Sequence, residues 1–259
     1  MIEFFKYHGT GNDFIMIDNR QLQFKGDKVA FARKWCERRF GIGSDGVIFL
    51  ENSADSDFLM DFYNPDGSQS FCGNGSRCAL AFASFLGIIG DHASFNAIDG
   101  KHIGEIKNEL VYIKMGNVEG IEHIGDDHFI HTGSPHYISY CSDSDERDII
   151  SFGKQIRYSE KYQQNGTNVN LIKEVENDRI DLRTYERGVE NETFACGTGA
   201  TAAALSFAFK HNLNEGIVKV DVKGGKLQVA FKRKNDNFSD VWLIGPAVQV
   251  FKGSISDDH

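Results

Sequence analysis

A chain of 259 residues holds one large domain or two of roughly 125 residues each, and either is long enough to bury a core. Apolar residues at 41% and charged residues at 25% are ordinary for a globular protein. Its 28 basic and 37 acidic side chains, with no Lys/Arg-rich run, speak against a nucleic-acid partner. The longest apolar run, Ala79 to Ile89, is too short to span a bilayer, so no membrane partner is expected.

In chain order, Phe14 to Asp18 and Phe58 to Tyr63 read as strands, and Asn64-Pro-Asp-Gly67 as a turn with Pro and Gly in favoured places. A helix follows over about Gly75 to Gly87, then strands at Ile103 to Lys114 and Asn168 to Ile172. A second helix is predicted over Gly199 to His211. Ile217 to Val222 and Lys226 to Phe231 alternate around Gly224-Gly225 as a hairpin. Both helices are nearly apolar all round, which implies that each is wrapped by sheet. Ala247 to Phe251 forms a last strand, returning to the first domain.

The chain repeats itself. Cys72-Gly-Asn-Gly75 recurs as Cys196-Gly-Thr-Gly199, each before an alanine-rich stretch. Thr10-Gly-Asn-Asp-Phe has an echo in Thr132-Gly-Ser-Pro-His, and the two offsets agree to within two residues. Tyr63-Asn64 and Tyr185-Glu186 precede the cysteines; Asp99-Gly100-Lys101 and Gly224-Gly225-Lys226 follow them. Val111-Tyr-Ile-Lys and Val241-Trp-Leu-Ile close each copy as short strands. The expectation is an α+β fold of two pseudo-symmetric domains, each a curved, mostly antiparallel sheet wrapped around a central helix. The first would span residues 1–117 with a returning strand in 247–259, and the second 118–246.

Five cysteines, an odd number, and an N-terminus without a basic segment followed by a hydrophobic stretch argue against a disulfide framework and for the cytoplasm. The chain has no CxxC pair, so a zinc site is not expected. Cys36, Cys78 and Cys141 read as small buried hydrophobes. Cys72 and Cys196 differ, because each stands immediately before a helix in Cys-Gly-X-Gly. The glycines admit a ligand close to the main chain, and open N–H groups at the helix start suit a carboxylate. The same field stabilises a thiolate by up to ~2 kcal/mol, enough to bring a thiol from about 8.5 towards neutrality. Two such thiols, one per domain and aimed at a shared cleft, would take a proton from one face of an α-carbon and return one to the other. No pyridoxal-phosphate lysine motif, dinucleotide fingerprint or P-loop is recognisable, so no cofactor is expected and backbone donors would stabilise the carbanion.

Over essentially its whole length the sequence resembles the diaminopimelate epimerases. The matching motifs are His8-Gly-Thr-Gly-Asn-Asp-Phe, Gly41-Ile-Gly-Ser-Asp-Gly, Tyr63-Asn-Pro-Asp-Gly-Ser, Cys72-Gly-Asn-Gly-Ser-Arg-Cys, Asn168-Val-Asn, Tyr185-Glu-Arg-Gly and Thr193-Phe-Ala-Cys-Gly-Thr-Gly. The resemblance implies interconversion of LL- and meso-2,6-diaminopimelate on the route to lysine and peptidoglycan, with Cys72 and Cys196 as the acid/base pair. It implies that Asn12, Asn64, Asn168, Glu186 and Arg187 hold the ammonium and carboxylate groups, and that the backbone amides of Gly73, Asn74, Gly197 and Thr198 receive the carboxylate at the reacting end. His136 and Glu186 would orient or tune the thiols, and relatives are often homodimers. The chain departs from the family pattern at Ser134, where Asn is usual, in a shorter Asn64–Cys72 stretch, and at Ser44 and Gly46, where some members place a larger amide side chain. Two alternatives stay open: an epimerase of proline or hydroxyproline, against which Glu186 and Arg187 speak, and a thiol redox switch or amino-acid binding protein.

Overall fold

A computed structural model describes residues 1–142 and 147–256. The last three residues of the returning stretch expected at 247–259 lie outside the described residues. The chain divides into two compact units, Met1–Ile113 together with the stretch from Gly245 onward, and Lys114–Ile244.

The first unit runs β1 (Ile2–Gly9), β2 (Asn12–Asp18), α1 (Lys28–Trp35), β3 (Gly46–Glu51), β4 (Phe58–Tyr63), α2 (Gly73–Phe85), β5 (His92–Ala97), β6 (Gly100–Lys107) and β7 (Leu110–Lys114). From β1 to β7 the successive pairings are antiparallel, parallel, antiparallel, parallel, antiparallel and antiparallel. The parallel steps are those where the chain crosses by way of α1 or α2, as a parallel pair requires. The second unit runs β8 (Val118–Glu119), β9 (Glu122–Ile124), β10 (Asp127–His131), β11 (Pro135–Tyr140), α3 (Ile149–Arg157), β12 (Asn168–Glu176), β13 (Arg179–Glu186), β14 (Asn191–Glu192), α4 (Gly197–Lys210), β15 (Glu215–Val222), β16 (Gly225–Lys234) and β17 (Asn237–Gly245). Along β10-β11-β12-β13-β15-β16-β17 the same six steps recur in the same order. The last strand, β18 (Val248–Ile255), pairs with β1 and completes the first unit.

Composition explains the two kinds of helix. Ten of the 13 residues of α2 and 11 of the 14 of α4 are buried, so neither has a solvent face. β1, β2, β3, β4 and β6 pack on α2, and β10, β11, β12, β13, β15 and β16 on α4. Small residues on α4 (Ala200, Ala202, Ala203, Ala204) let the strands approach closely on every side. By contrast α1 and α3 have two buried residues each and are capped by Asp27 and Asp148, whose carboxylates accept from the open N–H groups of the first turn. Phe14, Phe49, Phe58, Phe82 and Phe95 fill the first core; Tyr185, Phe207 and Phe238 lie wholly buried in the second.

Three local expectations are corrected. Both central helices begin two residues earlier than predicted, which makes the cysteines themselves the N-cap residues. The strand read over Ile103 to Lys114 is two strands, broken by a turn in which Asn108 and Glu109 take φ of 50° and 65°. The predicted hairpin turns one residue earlier, at Lys223-Gly224, with Val222 opposite Gly225. Among the described residues no helix is long and apolar enough to cross a membrane.

Candidate active site

In the first unit the site is built at the start of α2. Cys72 has extended backbone (φ −136°, ψ 109°) and its sulfur accepts from the Gly75 N–H at 3.4 Å. Gly73 and Asn74, both buried, form the first turn of the helix. Asn12 opens β2, immediately after a tight turn in which Thr10 and Gly11 both take positive φ. Its amide nitrogen donates to Asp45 Oδ2 at 2.7 Å. A carboxylate only accepts, so the amide oxygen must face the other way. There it lies 3.1 Å from Asn74 Nδ2 and 3.7 Å from the Cys72 sulfur. Asp45 is itself held by Arg38 at 2.6 Å and by the Asp13 N–H.

Behind the cysteine lies Arg77, fully buried, donating to Thr10 Oγ1 at 3.1 Å and to the Pro246 carbonyl. Burial pulls its guanidinium down to about 10. A Cβ on Gly9 would come within 3.0 Å of that guanidinium, which accounts for the glycine. Asn64 follows β4 at the start of the Asn-Pro-Asp-Gly turn. Its amide nitrogen donates to Ser68 and Ser70 at 3.1–3.2 Å and closes its own turn.

In the second unit Cys196 caps α4 with the same extended backbone and is buried, but its side chain makes no cap hydrogen bond. Gly197 and Thr198 begin the helix as Gly73 and Asn74 begin α2. The Thr198 hydroxyl lies 3.5 Å from the Cys196 sulfur, 3.0 Å from His136 Nε2 and 3.0 Å from Ser134 Oγ. His136, on β11, is wholly buried, and its pKa falls to about 3; burial is the main cause, with the charges of His131 and Arg187 adding. It is therefore a neutral imidazole at any ordinary pH. Asn168 donates to Ser134 Oγ and the Pro135 carbonyl and accepts from the Arg187 N–H at 2.9 Å. The Arg187 side chain is exposed and reaches the Asn165 carbonyl at 2.7 Å. Glu186, half-buried, ends β13.

The glycine in the fourth position of each Cys-Gly-X-Gly has a local reason. A Cβ on Gly199 would fall 2.9 Å from Asn170 Oδ1 and 3.3 Å from the Cys196 sulfur. One on Gly75 would press on Met60 and Ile48. Chemically, each half offers a sulfur at a helix N-terminus beside first-turn backbone N–H groups, which suits proton transfer next to a bound carboxylate. Of the remaining three cysteines, Cys78 and Cys36 are buried, which pushes their thiols up and keeps them protonated and inert, whereas Cys141, expected to be buried, is half-buried and donates to the Ile172 carbonyl at 3.5 Å.

Asp45 and Asn170 were not singled out from the sequence. Both stand in motifs quoted above, and Asn170 lies two residues from Asn168 on a strand, hence on the same face. A depression of about 460 Å³ lined by residues such as Asp181, Arg183, Glu192 and Lys223 shares none of the site residues, and its Arg183 is already paired with Glu192.

A family model described as diaminopimelate epimerase matches residues 4–121 and 128–250. The diaminopimelate epimerase of Flavobacterium psychrophilum is 46% identical over 257 residues, covering 98% of this chain and all of the relative. That of Aquifex aeolicus is 38% identical over 99% of both chains. Among solved structures, a phenazine biosynthesis protein of the PhzF family from Bacillus anthracis superposes with a TM-score of 0.78, over 98% of this chain and 99% of that one. At 13% identity the last likeness speaks for the fold alone. With both halves matched by the model and nearly every residue aligned to close relatives, the chain belongs to the diaminopimelate epimerase family.

Proposed function

We infer that this protein is a cofactor-independent isomerase that interconverts LL- and meso-2,6-diaminopimelate, a step towards lysine and peptidoglycan precursors. One observation carries the reading beyond the family match: a cysteine takes the N-cap position of the buried central helix in both units, where Ser, Thr, Asp or Asn would serve stability better. One sulfur, as thiolate, takes the α-proton. The other, as thiol, delivers a proton to the opposite face, and the reverse reaction exchanges their parts. The backbone N–H groups of Gly73, Asn74, Gly197 and Thr198 hold the adjacent carboxylate and the charge that develops as the proton leaves. Asn12, Asn64 and Asn168 with Glu186 and Arg187 hold the remaining ammonium and carboxylate groups, the exposed guanidinium of Arg187 suiting the distant carboxylate. His136 and Glu186 orient the thiols.

The test is epimerisation of LL-diaminopimelate in deuterated water without added cofactor. Deuterium should enter the α-position of the meso product. Cys72→Ala and Cys196→Ala should each lower turnover by at least the ~10²–10⁴ that a positioned acid or base contributes. Full activity in either variant would remove the two-thiol mechanism.

The same reading places the enzyme in the cytoplasm, divided into domains near residues 114–117 and 246–247, and as a homodimer. Support for the dimer comes from β18, which leaves Val248, Val250 and Phe251 exposed at 44%, 56% and 46%. Light scattering should then give about twice the chain mass of 29.0 kDa, and Val250→Asp should return it to one. A monomeric wild-type protein would refute the dimer.

A further inference from the structure

The two sulfurs differ in the side chain that stands beside each of them, an amide oxygen at Cys72 and a hydroxyl at Cys196. The Cys72 sulfur accepts the Gly75 N–H at 3.4 Å, but the neighbouring side-chain group is an acceptor. Asn12 must turn its nitrogen to the Asp45 carboxylate, so its oxygen stands 3.7 Å from the sulfur. An S–H there has a partner.

At Cys196 the neighbouring group is the Thr198 hydroxyl, and the network behind it sets which way its hydrogen points. Asn170 donates one amide hydrogen to the Tyr137 carbonyl at 3.0 Å, while its oxygen accepts from Thr184 Oγ1 at 2.9 Å, so its orientation is settled by backbone. Its second amide hydrogen meets His136 Nδ1 at 3.1 Å. A neutral imidazole that accepts at Nδ1 carries its hydrogen at Nε2. Nε2 then donates into the pair of hydroxyls, Ser134 at 2.9 Å and Thr198 at 3.0 Å. Asn168, oriented in turn by Pro135 and Arg187, donates to Ser134 Oγ from the other side. The arrangement that uses every donor of the group sends the Ser134 hydrogen to Thr198 Oγ1, and the Thr198 hydrogen to the Cys196 sulfur, 3.5 Å away. A hydrogen bond donated to a charged sulfur is stronger than one to a neutral thiol.

We propose that the resting enzyme holds Cys196 as the thiolate and Cys72 as the thiol, with Asn170, Thr198 and Asp45 as the positioning residues that set this choice. The proposal rests on the two-thiol reading above and adds which partner is charged before substrate arrives. Neutral His136 agrees with it, since a charged ring would donate from both nitrogens. The charges that bear on His136 are His131 and Arg187, with Glu186 at the end of β13. Arg77 and Cys78 interact with Cys72, and Asp13, Asp45 and Arg38 are tied together beside Asn12.

The test follows the pH dependence of iodoacetamide labelling at each cysteine of the unliganded full-length protein, resolved by peptide mass spectrometry. The midpoint for Cys196 should lie below that for Cys72. Thr198→Val should raise the Cys196 midpoint about tenfold in proton concentration and leave Cys72 unmoved, and Thr198→Ser, which keeps the hydroxyl, should stay near wild type. Asn170→Asp can no longer donate to Nδ1. The ring hydrogen should move to Nδ1, visible in nitrogen-15 NMR of the histidine, and the hydroxyls should turn to Nε2, raising the Cys196 midpoint as well. If one variant fails to fold, the other carries the test. A wild-type Cys196 midpoint at or above that of Cys72, or no movement in a folded variant, overturns the proposal. Loss of the epimerase reading would instead appear as turnover that survives Cys72→Ala, whatever the midpoints do.

Discussion

His136 is wholly buried with its pKa near 3, against about 6.5 in an unfolded chain. Above pH 6.5 the ring is neutral in both states and costs nothing. Below it, the unfolded chain takes up a proton that the folded one refuses until about pH 3, so stability falls by roughly 1.4 kcal/mol for each pH unit in that window. Urea unfolding at pH 7 and pH 4.5 should therefore show a loss that shrinks by roughly 2–3 kcal/mol in His136→Gln. Equal losses in the two proteins would mean that the ring is not held neutral. At this scale the sequence spoke clearly about Cys72 and Cys196, because a cysteine before Gly-X-Gly and a helix appears twice. It was silent on Asn170 and Asp45, whose work is to aim another side chain, and such a role depends on contacts from other strands that no local pattern encodes. Asn64 shows the reverse: a polar residue in a matched motif whose amide nitrogen is engaged by Ser68 and Ser70 in its own turn.

Among the elements, α2 and α4 were legible because an all-round apolar composition has one stable outcome, burial. Their starts were misplaced by two residues because Gly-Asn and Gly-Thr look like turn, and only the sheet around them extends the helix back to the cysteine. The β6–β7 turn was missed because Asn108-Glu109 lacks the glycine that usually marks two left-handed residues. Close packing of α3 on β13 was likewise invisible. A Cβ on Gly153 would lie 2.3 Å from Cγ of buried Tyr185. Alanine in a helix ordinarily gains up to about 1 kcal/mol over glycine. Here Gly153→Ala should instead destabilise by about 1–3 kcal/mol, because the helix must lift from the strand. Thermal melting of the variant would reveal it, and an unchanged or higher midpoint would contradict the close approach.

Taken whole, the molecule carries its duplication at two levels. The paired motifs were visible in the letters, but the repeat of six pairing steps, with a crossover helix at each parallel step, was not, since strand partners are set by distant sequence. β18 joins β1 along Ile2 to His8, although the whole second unit lies between them in the chain. During synthesis this reverses the usual order, in which the N-terminal domain folds first. β1, already paired with β2 on one side, has its other edge open until β18 is made, while the intervening unit, being continuous, can finish ahead of it. The nascent protein is thus most exposed to misassociation along the open edge of β1, where chaperones would have most to guard.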